Sequence, residues 1–130
     1  DFSGRQSELL AGALRALGSA RPHLTLLHVT ESPVARAFGR VAADAETVDD
    51  AERLETYAIA LRQHGFAVDA RLGSGDQVRE LARLVAECRA ELVILGGHGH
   101  RGLWDWLYGT TADKLRHRVA ASVLVVPLGP

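Results

Sequence analysis

The sequence predicts an α/β fold, an open parallel sheet with helices on both faces. Three observations point there. Short apolar runs fit to be strands alternate with longer stretches of helical period, most loops between them are short, and the order strand then helix persists along the chain. Several of the strand runs are almost wholly apolar rather than alternating, as strands covered on two sides are.

The elements follow in order. Ser3 and Gln6 have capping-box spacing, and Leu9, Leu10, Ala13, Leu14 and Leu17 then recur at helical intervals up to Gly18, a C-cap glycine. Leu24 to Val29, bounded by Pro22 and by Glu31-Ser32-Pro33, reads as a buried strand. Residues 31 to 44 hold Pro33 and Gly39 without a clear period and read as a mobile loop. From about Ala43 to His64 the positions Val48, Ala51, Leu54, Ala58 and Leu61 form an apolar stripe, with Asp49, Asp50, Glu52, Arg53 and Glu55 on other faces, and Gly65 ends this helix. Phe66 to Leu72 alternates as a half-exposed strand near a sheet edge does. Gly73-Ser74-Gly75 reads as a turn, and Ser74 with Gln77 again has capping-box spacing ahead of Val78, Leu81, Val85 and Cys88. A strand Leu92 to Leu95, a helix from about Thr110 to Val119 and a strand Ser122 to Val126 complete the series.

Composition sets bounds on function. The chain has 130 residues, which is one domain's worth, so residues 1–130 are read as a single domain. Its 47% hydrophobic and 24% charged residues are an ordinary globular composition. A net charge of −1 gives no electrostatic reason to expect nucleic acid or an anionic membrane surface as partner. No apolar run approaches the length of a membrane span, so no direct membrane insertion is expected. One cysteine forms no internal disulfide, and a reducing cytoplasm is the simpler expectation. Cys88 lies on a helical stripe and is expected to be a buried structural thiol.

Chemistry concentrates between Glu91 and Pro127. The run Leu92 to Leu95 breaks at Gly96-Gly97, which reads as a strand running into a glycine loop where a ligand approaches the backbone closely. Ten residues after Gly99, Gly109-Thr110-Thr111 opens a helix, gathering free N–H groups and two hydroxyls at a helix N-terminus suited to a phosphate. Thr110 and Thr111 also suit plain N-capping, and the two roles are compatible. Gly97-His98-Gly99-His100-Arg101-Gly102 satisfies the dinucleotide fingerprint, but no helix opens at its third glycine and no carboxylate stands near residues 120 to 122. A mere sharp turn would leave Gly109-Thr110-Thr111 without a purpose. Lys114, Arg116, His117 and Arg118 lie toward the helix C-terminus, where positive charge complements the dipole, and read as a solvated basic face. His98 and His100 lack a third ligand nearby in sequence, so a zinc pair is disfavoured against Mg²⁺ carried by nucleotide phosphates. Trp104 and Trp106 either pack the loop or face a partner.

The spacing Gly96-x2-Gly99-x9-Gly109-Thr110, the opening Asp1-Phe2-Ser3 before a helix, and Leu27-His28-Val29 at a strand end together resemble the universal stress protein family over nearly the whole chain. The resemblance implies an open five-stranded parallel sheet of the adenine-nucleotide alpha-hydrolase, Rossmann-like kind. Its first, central strand would end just before Asp1, and a chain without Met that starts at Asp1 is expected to have lost residues in front. The resemblance also implies ATP (or AMP or ADP) with Mg²⁺, held by Gly96, Gly99, Gly109 and Thr110 at the phosphates, Asp1 on the ribose side and the backbone of Val29 at the adenine edge. Thr111 joins the set as the second hydroxyl at the helix start. A homodimer through Val123 to Val126 is implied as well, and an apolar free edge at that strand would itself invite pairing. No nucleophile, base and orienting group assemble, so catalysis beyond slow ATP hydrolysis is not expected. The alternative from another class is an enzyme that transfers or cleaves phosphate with His98 or His100 as acid or base, and the stretch His98 to Gly102 with Gly109-Thr110-Thr111 and Arg116-His117 also resembles stress-type accessory domains of larger, transporter-type proteins.

Overall fold

The computed structural model describes residues 5 to 30, 40 to 98 and 110 to 128. Helices α1 (Gln6–Leu17), α2 (Arg40–Gln63), α3 (Gln77–Glu87) and α4 (Thr110–Arg116) alternate with strands β1 (Leu24–Thr30), β2 (Val68–Ser74), β3 (Leu92–His98) and β4 (Ser122–Leu128). The strands form two parallel pairs, β1 with β2 and β3 with β4. The chain divides into two compact units: residues 21 to 84, and residues 2 to 20 with 85 to 130.

In the first unit β1 runs from Leu24, opposite Val68, to Thr30, opposite Ser74. Burial alternates from Val68 to Leu72 as the sequence predicts, with Val68 buried, Ala70 and Leu72 half-buried and Asp69 and Arg71 exposed, and buried Gly73 breaks the alternation. The strand nevertheless extends to Ser74, so Gly73-Ser74 is ladder and not turn. The reason lies in packing: a Cβ at Gly73 would stand 2.5 Å from Glu80 Cγ and 3.0 Å from Leu84 Cδ1, so the missing side chain lets α3 lie close to the strand. The turn falls instead at Gly75, with φ +108°. Asp76 then caps α3, its Oδ1 accepting from Arg79 N–H at 2.8 Å, which replaces the expected Ser74/Gln77 box.

Helix α2 begins at Arg40, so residues 40 to 44 are helical rather than loop. Between Gly39 and Gly65 the sequence has neither Gly nor Pro to stop it. The expected apolar stripe is only half right: Leu54, Ala58 and Leu61 are 7%, 0% and 5% exposed, but Val48 is 56% exposed and Ala51 is exposed too. A helix of 24 residues spans roughly 36 Å against roughly 23 Å for a seven-residue strand, so its packing face outruns the strands it covers. The inward position one turn before Leu54 belongs to Asp50, which the apolar period had placed outside. Arg62, in the last turn, donates from Nε and Nη2 to the Val68 carbonyl at 3.0 and 2.8 Å and so fixes the start of β2.

In the second unit α1 covers β4 and β3. Gly12 is buried, and a Cβ there would meet Val126 Cγ1 at 2.3 Å. The N-cap is Arg5 without a side-chain cap, not Ser3, so Gln6 is the first helical residue rather than the third; Gly4, a weak helix former, stands between. Gly18 closes the helix as predicted, its N–H reaching Leu14 and Arg15 carbonyls. Strands β3 and β4 reach His98 and Leu128, beyond the expected ends at Leu95 and Val126, in register from Leu92 opposite Ser122 to His98 opposite Leu128. Pro127 is therefore a ladder residue opposite Gly97. Helix α4 is shorter than expected and ends at Arg116, after which the Leu115 carbonyl accepts from Arg118 and Val119 N–H at 2.8 and 3.1 Å. Leu115 itself is fully buried.

Candidate functional site

The carboxyl end of β1 is built from an apolar and a polar residue that are both buried, on opposite faces of the strand. Val29 is 7% exposed and stands opposite Gly73. Thr30, buried at 8%, donates its hydroxyl to the Gly73 carbonyl at 3.2 Å while its own carbonyl accepts from Gly75 N–H at 3.2 Å. These bonds fix the strand end and leave the path of the backbone at Val29 determined on both sides.

His28, just before Val29, lies on the opposite face, where its Nε2 stands 3.3 Å from Asp50 Oδ2 on α2. The two side chains are 11% and 13% exposed. Burial holds the imidazole below its ordinary range, and the neighbouring carboxylate offsets part of that shift. The sequence reading missed this pair. Its one signal is a histidine sharing the alternating face of Leu24 and Leu26 in an otherwise apolar run, a place that demands a partner.

The glycine motif begins in a strand and ends at a helix start: β3 carries Gly96 and Gly97, and α4 opens at Thr110. Gly96 and Gly97 are strand residues and not loop, and neither has positive φ. A Cβ at Gly96 would stand 2.8 Å from Leu128 Cδ1 and 3.6 Å from Leu9 Cδ2, and one at Gly97 would stand 2.9 Å from Val125 Cγ1. Close packing of β4 and α1 thus requires these glycines independently of any ligand. Thr111 is half-buried in the first turn of α4. Asp1, Gly99 and Gly109 lie outside the described residues, with His100, Trp104 and Trp106. Val29 belongs to the first unit, and Gly96, Thr110 and Thr111 to the second.

The remaining charges of α4 fit the solvated-face reading. Arg116 pairs with Asp113 at 2.7 Å, and His117 comes within 3.9 Å of the same carboxylate, with Arg116 and His117 side chains 55% and 68% exposed. Cys88 is half-buried just past the end of α3, not a fully buried stripe residue, because the helix stops at Glu87. Among the described residues no group of three or more His, Cys, Asp or Glu is placed to hold a metal ion, and no helix is long and apolar enough to cross a membrane.

No significant match to a curated protein was found. Solved structures are similar over almost the whole chain. The protein MJ0577, a test case for structure-based assignment of biochemical function, is 21% identical with a TM-score of 0.81, over 99% of this chain and 92% of its own. A universal stress family protein from Burkholderia pseudomallei is 22% identical with a TM-score of 0.73, over 98% and 90%. A universal stress protein in complex with cAMP is 20% identical with a TM-score of 0.61, over 99% and 92%. At these identities the likeness establishes the fold, α/β with parallel strands. The sequence match is what decides kinship: the Universal stress protein family pattern runs through residues 1–127, and the chain belongs to that family.

Proposed function

We propose that this chain is an ATP-binding regulatory module, of the nucleotide-binding branch of its family. The observation that carries the reading is the intact Gly96-x2-Gly99-x9-Gly109-Thr110 spacing, set between the end of β3 and the first residue of α4. Backbone N–H groups near a strand end and at a helix N-terminus are the groups that hold phosphate oxygens. In this reading Gly96, Gly99, Gly109, Thr110 and Thr111 serve the phosphates with Mg²⁺ carried by the nucleotide, Asp1 the ribose and the Val29 backbone the adenine. The cAMP complex of a related fold supports an adenine nucleotide as ligand class. The module is taken as one cytoplasmic domain whose two strand pairs belong to a five-stranded sheet, and as a homodimer through β4. Nucleotide occupancy would order the segment between Gly96 and Thr111 and so alter a partner surface.

Calorimetric titration with ATP and Mg²⁺, beside a Gly99→Val, Gly109→Val double variant, tests it. Micromolar binding that the variant loses is the expected outcome. The absence of both heat and thermal shift in the unmodified protein would overturn the ATP reading.

A further inference from the structure

Strand β2 pairs with β1 along one edge, and among the described residues no strand pairs with its other edge. Two bonds at the ends of the ladder fix which backbone groups face that other edge. Leu24 N–H donates to the Ala67 carbonyl at 2.8 Å, and Gly75 N–H donates to the Thr30 carbonyl at 3.2 Å, so the odd-numbered residues of this stretch point toward β1. Backbone groups alternate in direction along a strand, so those of Val68, Ala70, Leu72 and Ser74 point away from it. Both ends of this row are engaged by side chains. The Val68 carbonyl accepts from Arg62 Nε and Nη2 at 3.0 and 2.8 Å, and Ser74 N–H donates to the Glu80 carboxylate. Each capping side chain is itself bonded to a group of opposite charge, Arg62 to Glu55 and Glu80 to Arg83.

We propose that Arg62 and Glu80 close the edge of β2 away from β1 to strand addition, so that it does not take up a second copy of the chain. An added strand draws its affinity from a continuous row of main-chain hydrogen bonds. Here the row has lost its Val68 acceptor and its Ser74 donor. The stretch left open between them, Ala70 and Leu72 with Arg71, is only about as long as the shortest strands. Bonds to a guanidinium or a carboxylate are about twice as strong as the neutral ones that an incoming strand would offer in exchange. The exposed charges of Asp69 and Arg71 discourage pairing too, but as side chains they stand on the face of the sheet and do not occupy the row itself. The closure is a device of the first unit alone and does not depend on whether a nucleotide binds.

Hydrogen exchange and sedimentation on the full chain test the inference. In the unmodified protein the amides of Ala70 and Leu72 are expected to exchange at least about tenfold faster than those of Asp69 and Arg71, which point toward β1. An Arg62→Met, Glu80→Leu double variant removes both caps, keeps apolar bulk in their place and leaves Asp69 and Arg71 untouched. At equal concentration it should sediment at about twice the mass of the unmodified protein or more, with the Ala70 and Leu72 amides slowed by about tenfold or more on assembly. An Arg62→Lys, Glu80→Gln pair, which keeps a donor at one end and an acceptor at the other, should sediment like the unmodified protein. A folded Arg62→Met, Glu80→Leu variant of unchanged mass would overturn the proposal. So would Ala70 and Leu72 amides as protected as those of Asp69 and Arg71 in the unmodified protein, a result that needs no variant to fold.

Discussion

Gly12 shows how a single missing side chain positions a helix. Glycine inside an exposed helix costs about 1 kcal/mol against alanine, so Gly12→Ala would ordinarily stabilise α1. Here the added Cβ would stand 2.3 Å from Val126 Cγ1, a methyl close to the backbone of a β-branched residue that has little freedom to move aside. Overpacking of that kind costs about 1–3 kcal/mol and outweighs the propensity gain. Gly12→Ala is therefore expected to lower stability by a net of about 1–2 kcal/mol in urea unfolding, with most of the loss recovered when Val126→Ala is added. A gain in stability would show that α1 does not approach β4 so closely. Nothing in sequence marks Gly12, because it falls between the apolar positions that define the stripe and its reason lies over 100 residues away. Gly96 is the reverse case. The sequence singles it out for a ligand, and the structure adds a packing reason in Leu128 and Leu9 that periodicity does not reveal. His28 and Asp50 went unread because a search for apolar period assigns a carboxylate to the outside by rule.

At the scale of elements, every predicted helix and strand within the described residues is present and what shifted are its ends. Glycine read as a break was wrong at Gly73, Gly96 and Gly97, each of which continues a ladder. It was right at Gly18 and Gly65, which follow helices and take positive φ. The difference is whether a neighbouring element packs onto the missing Cβ, which local sequence does not say. The junction of β2 and α3 illustrates it. Glu80 packs over Gly73, accepts from Ser74 N–H and holds the Arg83 guanidinium through both Nε and Nη2. The Arg83 hydrogen bonds, more than any other cause, hold its carboxyl below the usual carboxylate range. A carboxylate with a lowered folded pKa contributes stability above its unfolded pKa, and loses it as pH falls through the folded value. Glu80→Gln is thus expected to be less stable than the unmodified protein at pH 7, with the gap narrowing as pH falls below the usual carboxylate range, as measured by thermal unfolding over a pH series. A difference that persisted unchanged at low pH would assign the role of Glu80 to packing on Gly73 alone.

At the scale of the molecule, alternation of strand and helix made the α/β class legible, since each run is long enough to be typed and each connection demands a crossover. Pairing partners are not legible that way. The structure supplies β1 with β2 and β3 with β4 in parallel register, two short sheets that need further strands or helices to be stable. Strands β2 and β4 differ in a manner that bears on assembly. β2 exposes Asp69 and Arg71, charges that discourage pairing with another chain. β4 has no charged residue from Ser122 to Leu128, and Val123, Leu124 and Val125 are half-buried rather than covered. An apolar strand of this kind is the one expected to pair across a two-fold axis, since a closed dimer removes the free edge that would otherwise recruit chains without limit. The 14.0 kDa chain is accordingly expected to sediment at twice that mass, with dissociation on dilution. Val123→Lys places a charge in the strand and should yield a folded monomer with unchanged circular dichroism. A dimer that survived Val123→Lys would move the interface away from β4, and a monomeric unmodified chain would remove the edge-pairing argument altogether.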